Sequence, residues 1–253
     1  MNYFRIFAVN MDFKVVHIDE TDSTNRWLRD NGQTVEDNSP GAVLVVTAEH
    51  QTAGKGCGSN SWESERGKNL TFSMMTHPEQ IPASRQWQIS EIVSVALCEA
   101  LEPYMDGRQV EIKWPNDIYY GARKLCGILI ENRLQGGVIK DCIIGIGLNV
   151  NQETFLSDAP NPVSLKQIMG REIDRDDLLW SFLQSFLDVS LRESCSSFYR
   201  ERLFRKGERA VYKDKTGSFM GTLIDVTSDG HLILQDADGK KRVYAFKEVQ
   251  FVV

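Results

Sequence analysis

VEIKWPNDIYYGARKLCGILIENRLQGGVIKDCIIGIGLNVN, residues 110–151, is the stretch whose reading decides the fold. Its β-branched and aromatic runs are cut by turn signals. Gly121-Ala122 reads as a hairpin turn, and Gly136-Gly137 separates a second strand pair, KLCGILIENRL from VIKDCIIGIGLNV. The first run cannot be a simple central strand. Pro115 has no backbone N–H to donate and holds Trp114 extended, so the strand bends out of the ladder there. Lys113, Asn116 and Asp117 are thereby presented together at a strand break.

Outward from this block the pattern alternates between strands and helices. Phe13–Ile18 reads as a strand, and DETDSTNRWLRDN then offers caps at Thr21, Asp22 and Ser23 for a short helix expected to end at Gly32. Residues 33–41, with NSPG, read as a loop. AVLVVTAE (42–49) is apolar on successive positions, as an interior strand must be, and NLTFSMM (69–75) is another strand. From Arg85 to Leu101, Ile89, Ile92, Val93, Ala96, Leu97, Ala100 and Leu101 recur at helical spacing. Leu178, Leu179, Phe182, Leu183, Phe186 and Leu187 mark a second long helix.

After about residue 205 the text changes to short polar–apolar alternation cut by Lys-Thr-Gly, Ser-Asp-Gly and Ala-Asp-Gly. Five short strands in so little chain indicate a small β-barrel. The expected architecture is a mixed α/β domain over 1–204 with an appended barrel over 205–253.

The 253 residues carry a net charge of −6, which disfavours a general nucleic-acid binder, since phosphate contacts need surplus Lys and Arg. Five scattered cysteines with no Cys-x-x-Cys spacing argue against a disulfide framework or a zinc site and for a reducing compartment. The apolar run Ile6–Val9 is too short for a signal-peptide core, and no run approaches a membrane span, so a soluble cytoplasmic protein is expected. Met11 is an alternative start.

TAEHQTAGKGCGSNSW (47–62) is the second informative stretch. It matches neither the Gly-x4-Gly-Lys-Ser/Thr phosphate loop nor the Gly-x-Gly-x-x-Gly dinucleotide turn. Its glycines would still let backbone N–H groups approach an anion, with Lys55 adding a charge. Alone, it fits a flexible surface loop with a solvated lysine equally well.

STN (23–25), AEHQTAGKG with its following Trp62, GKNLTFSM, KWPNDI, RKLCGILIE and GIGLNVN occur in the order and spacing of biotin–protein ligases, which the chain resembles over roughly residues 14–253. The resemblance implies a class II synthetase-like catalytic domain with a small SH3-like barrel. It implies an enzyme that joins biotin to ATP as biotinyl-5′-AMP and passes the biotinyl group to one lysine of a biotin carboxyl carrier protein, such as that of acetyl-CoA carboxylase. Bringing a carboxylate against a phosphate requires cations on both sides. By resemblance, Lys113 lies beside the biotin carboxylate and is the main catalytic residue. Ser23, Thr24 and Gln51 match the ureido side with Asn25 adjacent, and Gly127 lets backbone approach the ligand. Lys55, Gly56 and Cys57 belong to the loop folding over biotin and the acyl phosphate. Lys124 meets ATP phosphate beside Asn116, Trp62 stacks on adenine and Asn149 bonds it, and Asp117 is the weaker candidate for Mg²⁺.

One position departs from the family, which often has Gly-Arg-Gly-Arg here. Lys55 keeps a charge without the bidentate fork of arginine, and Cys57 replaces a second cation outright. About a dozen residues precede the first strand, fewer than the ~50 of an independent domain, so a short form without a DNA-binding repressor domain is expected. The rival readings are a lipoyl or octanoyl transferase of the same fold, expected to have no KWPND string beside this loop, and a non-catalytic biotin-binding protein that docks a carrier. Neither a membrane nor a nucleic acid is an expected partner, and the resemblance allows a monomer or a homodimer through the main sheet.

Overall fold

The computed structural model describes residues 12–37, 42–78, 81–105, 107–157 and 161–252. The NSPG loop and the alternative start at Met11 lie outside the described residues. The first strand, β1 (Phe13–Thr21), runs parallel to β2 (Val43–Gln51), and α1 (Thr24–Asp37) makes the crossover that a parallel pair requires. β3 (Leu70–Thr76) returns antiparallel to β2. A one-turn 3₁₀ segment leads into α2 (Trp87–Leu101). The decisive block then gives β4 (Glu111–Lys113), β5 (Asp117–Tyr120), β6 (Arg123–Gln135) and β7 (Val138–Leu148). The strand does break at Trp114–Pro115, and both glycine turns form, with Gly136 and Gly137 at φ 62° and 82°. The seven strands make one mixed sheet in the order β1-β2-β3-β7-β6-β5-β4.

One face of this sheet carries the main core. Val45, Phe72, Met74, Ile144 and Ile146 pack with Ile92 and Val93 of α2 and with Phe182 and Phe186 of α4 (Arg175–Ser190). On the other face α1 covers β2, β3 and β7 through Leu28, which joins Leu44, Val46, Met75 and Ile143. Toward β6 and β5 that second face is left to the loop that follows β2.

The helix does not stop at Gly32; α1 continues to Asp37. Gly32 is read as a stop because glycine favours the end of a helix. Here it is buried inside one, and a β-carbon there would overlap the Met75 side chain. Close approach of helix to sheet explains the glycine. Two short helices without a long apolar repeat, α3 (Leu165–Met169) and α5 (Ser196–Glu201), also escape sequence reading.

The C-terminal strands are β8 (Arg209–Asp214), β9 (Gly217–Val226), β10 (Leu232–Asp236), β11 (Lys241–Tyr244) and β12 (Val249–Phe251). They form an antiparallel sheet in the order β11-β10-β9-β8-β12, so the expected barrel is open between its end strands among the described residues. This sheet shares the main core through Tyr212, Leu223, Leu232 and Leu234. Trp114 Nε1 donates to Gly230 O at 2.9 Å, tying the strand break to the β9–β10 turn. Among the described residues no helix is long and apolar enough to cross a membrane.

Candidate functional site

The glycine-rich loop is a small hairpin. Thr52 N and Ala53 N donate to Thr21 O and Asp22 O, which anchors its base to the β1–α1 junction. Trp62 N donates to Gly54 O and Gly56 N to Asn60 O, with Lys55 and Ser61 bridged between them. The tip is Cys57–Ser59, where Gly58 takes the left-handed φ of 71° that favours glycine.

Beneath the hairpin lies a floor without side chains. Gly127 of β6 pairs with Gly147 of β7, and the Trp62 indole rests on both. A β-carbon on Gly127 would come within 2.9 Å of the ring, and one on Gly147 would overlap it. Trp62 Nε1 is buried with no hydrogen-bond partner among the described residues. Lys124 Nζ stands 5.8 Å from the indole centroid, a cation–π distance, and donates to Asp117 Oδ2 at 2.7 Å. Asp117 and Lys113 face each other across the β4–β5 ladder. The Lys113 ammonium donates to Tyr119 Oη at 3.2 Å and lies 5.5 Å from the Phe251 ring centroid of β12. Burial lowers the Lys113 pKa, opposed by Asp117 and reinforced by the nearby charges of Lys124 and Arg205. The residues expected at the nucleotide and carboxylate side, Trp62, Lys113, Asp117 and Lys124, are therefore brought together, with Gly127, expected against biotin, beneath the Trp62 ring.

A second, polar group lies where α1 begins. Gln51 Oε1 accepts from Thr24 N at 2.8 Å and from Thr24 Oγ1 at 3.1 Å. Ser73 Oγ lies 2.7 Å from Thr24 Oγ1 and 2.6 Å from Asn25 Oδ1, and Asn25 Nδ2 donates to Glu131 Oε2 at 2.7 Å. The Asn25 amide lies over Gly145 of β7, two residues from the floor glycine. Ser23, Thr24 and Asn25 are buried, and the Ser23 N–H is held by Asp22. Ser73, Glu131 and Gly147 are the participants that sequence reading missed.

The remaining expected residues stand apart from these two groups. Lys55 is exposed on the hairpin with no ion pair among the described residues. Cys57 and Asn116 line one cavity of about 320 Å³ with Trp114, Leu129 and Phe246, at the margin of β6. Asn149 Nδ2 is committed to the carbonyls of Val163, at 3.1 Å, and Lys124, at 3.4 Å, so its amide braces the segment after β7. Glu63, next to Trp62, accepts from Leu156 N, Ser157 N and Gln152 Nε2, which fixes the exit of the hairpin.

Among the described residues no three or more His, Cys, Asp or Glu side chains converge as a metal cage. Asp117 is a single carboxylate beside a lysine. That set suits Mg²⁺ only if phosphate oxygens supply further ligands, a common arrangement for this cation.

Comparison with known proteins gives a consistent result. The model of the biotin/lipoate A/B protein ligase family matches residues 18–149, just over half the chain. The bifunctional ligase/repressor BirA of Bacillus subtilis is 31% identical over 224 residues, 84% of this chain and 67% of that protein. The biotin–[acetyl-CoA-carboxylase] ligase of Paracoccus denitrificans is 26% identical over 79% of this chain and 87% of its own. Among solved structures, the biotin protein ligase of Aquifex aeolicus in complex with biotin and ATP superposes with a TM-score of 0.75, covering 94% of this chain and 99% of that one at 23% identity, which shows a shared fold. The matched stretch contains the hairpin with Lys55, the glycine floor and both lysines of the site, Lys113 and Lys124, and this chain belongs to the biotin/lipoate A/B protein ligase family.

Proposed function

We propose that this ligase activates biotin with ATP and transfers the biotinyl group to a lysine of a biotin carboxyl carrier domain. One observation carries the reading: Lys113, Asp117 and Lys124 converge beside a side-chain-free floor. Two ammonium groups held close together repel, and an anionic ligand relieves that repulsion. In the first step a biotin carboxylate oxygen attacks the α-phosphorus of ATP, the bond to the β-phosphate oxygen breaks, and pyrophosphate leaves. Lys113 and Lys124 stabilise the charge that gathers on the phosphorus-bound oxygens. In the second step the carrier amine attacks the acyl carbon, AMP departs and the amine loses a proton.

Thr24 and Gln51 supply donors and acceptors for the ureido edge, with Ser73 and Asn25 fixing their orientation. Ser23, Lys55, Gly56 and Cys57 complete the biotin side as the hairpin closes. Trp62 and Gly147 offer flat surfaces to adenine. Asn149 has its amide nitrogen engaged by backbone, which leaves its amide oxygen to accept from the base. Asn116 borders the cavity on the ATP side. Mg²⁺, held by the Asp117 oxygen turned away from Lys124, would neutralise phosphate charge. The same reading divides the chain into a catalytic domain to residue 204 and a C-terminal domain from 205.

The test supplies radiolabelled biotin or lipoate with ATP and a biotin carboxyl carrier domain. Biotin-dependent pyrophosphate release and covalent carrier labelling are expected, and both are lost in Lys113→Ala. Equal turnover of lipoate, or undiminished labelling in that variant, would sink the assignment.

A further inference from the structure

The ammonium on which the proposed reaction depends has a neutral partner. Lys113 stands opposite Asp117 in the β4–β5 ladder, but that carboxylate is turned to Lys124, 2.7 Å away. Among the described residues no carboxylate forms an ion pair with Lys113. Its polar contact is the Tyr119 hydroxyl at 3.2 Å. The strand register explains the meeting. Tyr119 stands two residues beyond Asp117 on the same face of β5, which makes it the diagonal neighbour of Lys113. Diagonal neighbours in a sheet lie about 7–8 Å apart, within reach of a long side chain and an aromatic one. Tyr119 is itself held still. It is 1% exposed, and its ring packs on that of the buried Phe204 with centroids 5.3 Å apart. Around the Lys113 ammonium the rings of Tyr119 and Phe251 stand at 5.0 and 5.5 Å.

We propose that Tyr119 is a positioning residue of this ligase, its hydroxyl holding the Lys113 ammonium in the direction from which it meets the reacting carboxylate and phosphate. The inference rests on the proposed ATP-dependent reaction and deepens it. Buried as it is, Tyr119 touches no substrate and acts through the lysine. An ammonium has three donors, and Tyr119 takes one and leaves the others for the reacting groups. A carboxylate in the same place would also fix the amine, but it would cancel the charge that the transition state needs. A phenol is neutral at neutral pH, so it sets direction and leaves the charge whole.

The experiment compares wild type with Tyr119→Phe, which keeps the ring and removes the hydroxyl. Ile118→Val, a fully buried change on the opposite face of the same strand, serves as the control. Biotin-dependent pyrophosphate release is measured over a range of biotin and ATP, together with the melting temperature. Tyr119→Phe should lower kcat about tenfold, the scale of a lost hydrogen bond to a charged group. The KM for biotin and for ATP should stay within about twofold, because the contact serves the transition state rather than binding. Ile118→Val should lower the melting temperature by a few degrees and leave kcat unchanged. A tyrosine needed for packing alone predicts wild-type kcat in Tyr119→Phe. An unchanged kcat, or an equal loss of kcat in Ile118→Val, overturns the proposal. A second readout needs no turnover: the rate at which acetic anhydride acetylates Lys113, mapped by mass spectrometry. An amine released from its hydrogen bond reacts faster, so a several-fold rise is expected in Tyr119→Phe and none in Ile118→Val. Equal rates in wild type and Tyr119→Phe overturn the proposal. If wild type releases no biotin-dependent pyrophosphate, the proposed function fails instead, and the acetylation rates alone decide whether Tyr119 holds the amine.

Discussion

The Trp62 indole rests on Gly147 so closely that a single added methyl would displace it. The ring also hides an Nε1–H that has no partner among the described residues, and a buried donor without a partner costs about 1–3 kcal/mol. The packed position is therefore one the ring can leave when a ligand offers it a better surface. Strand pairing puts two glycines face to face at this point, which clears a floor for a flat ring.

Gly147→Ala is expected to push Trp62 off the floor and raise the KM for ATP about tenfold, the scale of a lost aromatic stacking contact. The clash is with a side chain on a surface hairpin, so the melting temperature should change little. Steady-state kinetics and a thermal melt together check this. An unchanged KM for ATP would show that the floor is not where the nucleotide base lies.

The pH dependence should carry the mark of Lys113. Its folded pKa is held below that of an ordinary lysine, chiefly by burial. The ammonium is the working form, so activity is full below the folded pKa and falls as pH rises through it. The alkaline limb of biotin-dependent pyrophosphate release should therefore begin below the ordinary lysine range. Between the folded and unfolded pKa the unfolded chain binds more protons at this site, so its contribution to stability becomes more favourable with rising pH. Lys113→Arg, which does not titrate there, should retain part of the activity and move the limb upward. A limb at the same pH in both proteins would assign it to another group.

Much of the fold was legible because its signals are local. Pro115 cannot sit in a central ladder, Gly136-Gly137 suits a tight hairpin, and interior strands such as Val43–Gln51 are apolar on both faces. Gly32 misled because a glycine that lets a helix approach Met75 looks, in text, like one that ends the helix. The site was readable wherever a charged or amide side chain stood in an unusual string, as at Lys113 and Asp117. Ser73 escaped because a hydroxyl within LTFSMMT signals nothing until α1 is folded across it, bringing Asn25 within 2.6 Å. Glu131 belongs to the same case: its role depends on residues over a hundred positions away.

Retention of the activated intermediate is expected to depend on the hairpin tip. Cys57 lines the cavity with Asn116 and Phe246 and brings no charge to it. A neutral tip leaves the phosphate of an acyl adenylate less firmly held, and the intermediate that escapes acylates any exposed lysine. Cys57→Arg places a planar guanidinium at that position, able to grip phosphate through two parallel hydrogen bonds. Labelling of bystander lysines in a mixture of unrelated proteins should fall several-fold, with carrier labelling maintained. Equal bystander labelling by wild type and Cys57→Arg would mean that the tip does not govern escape.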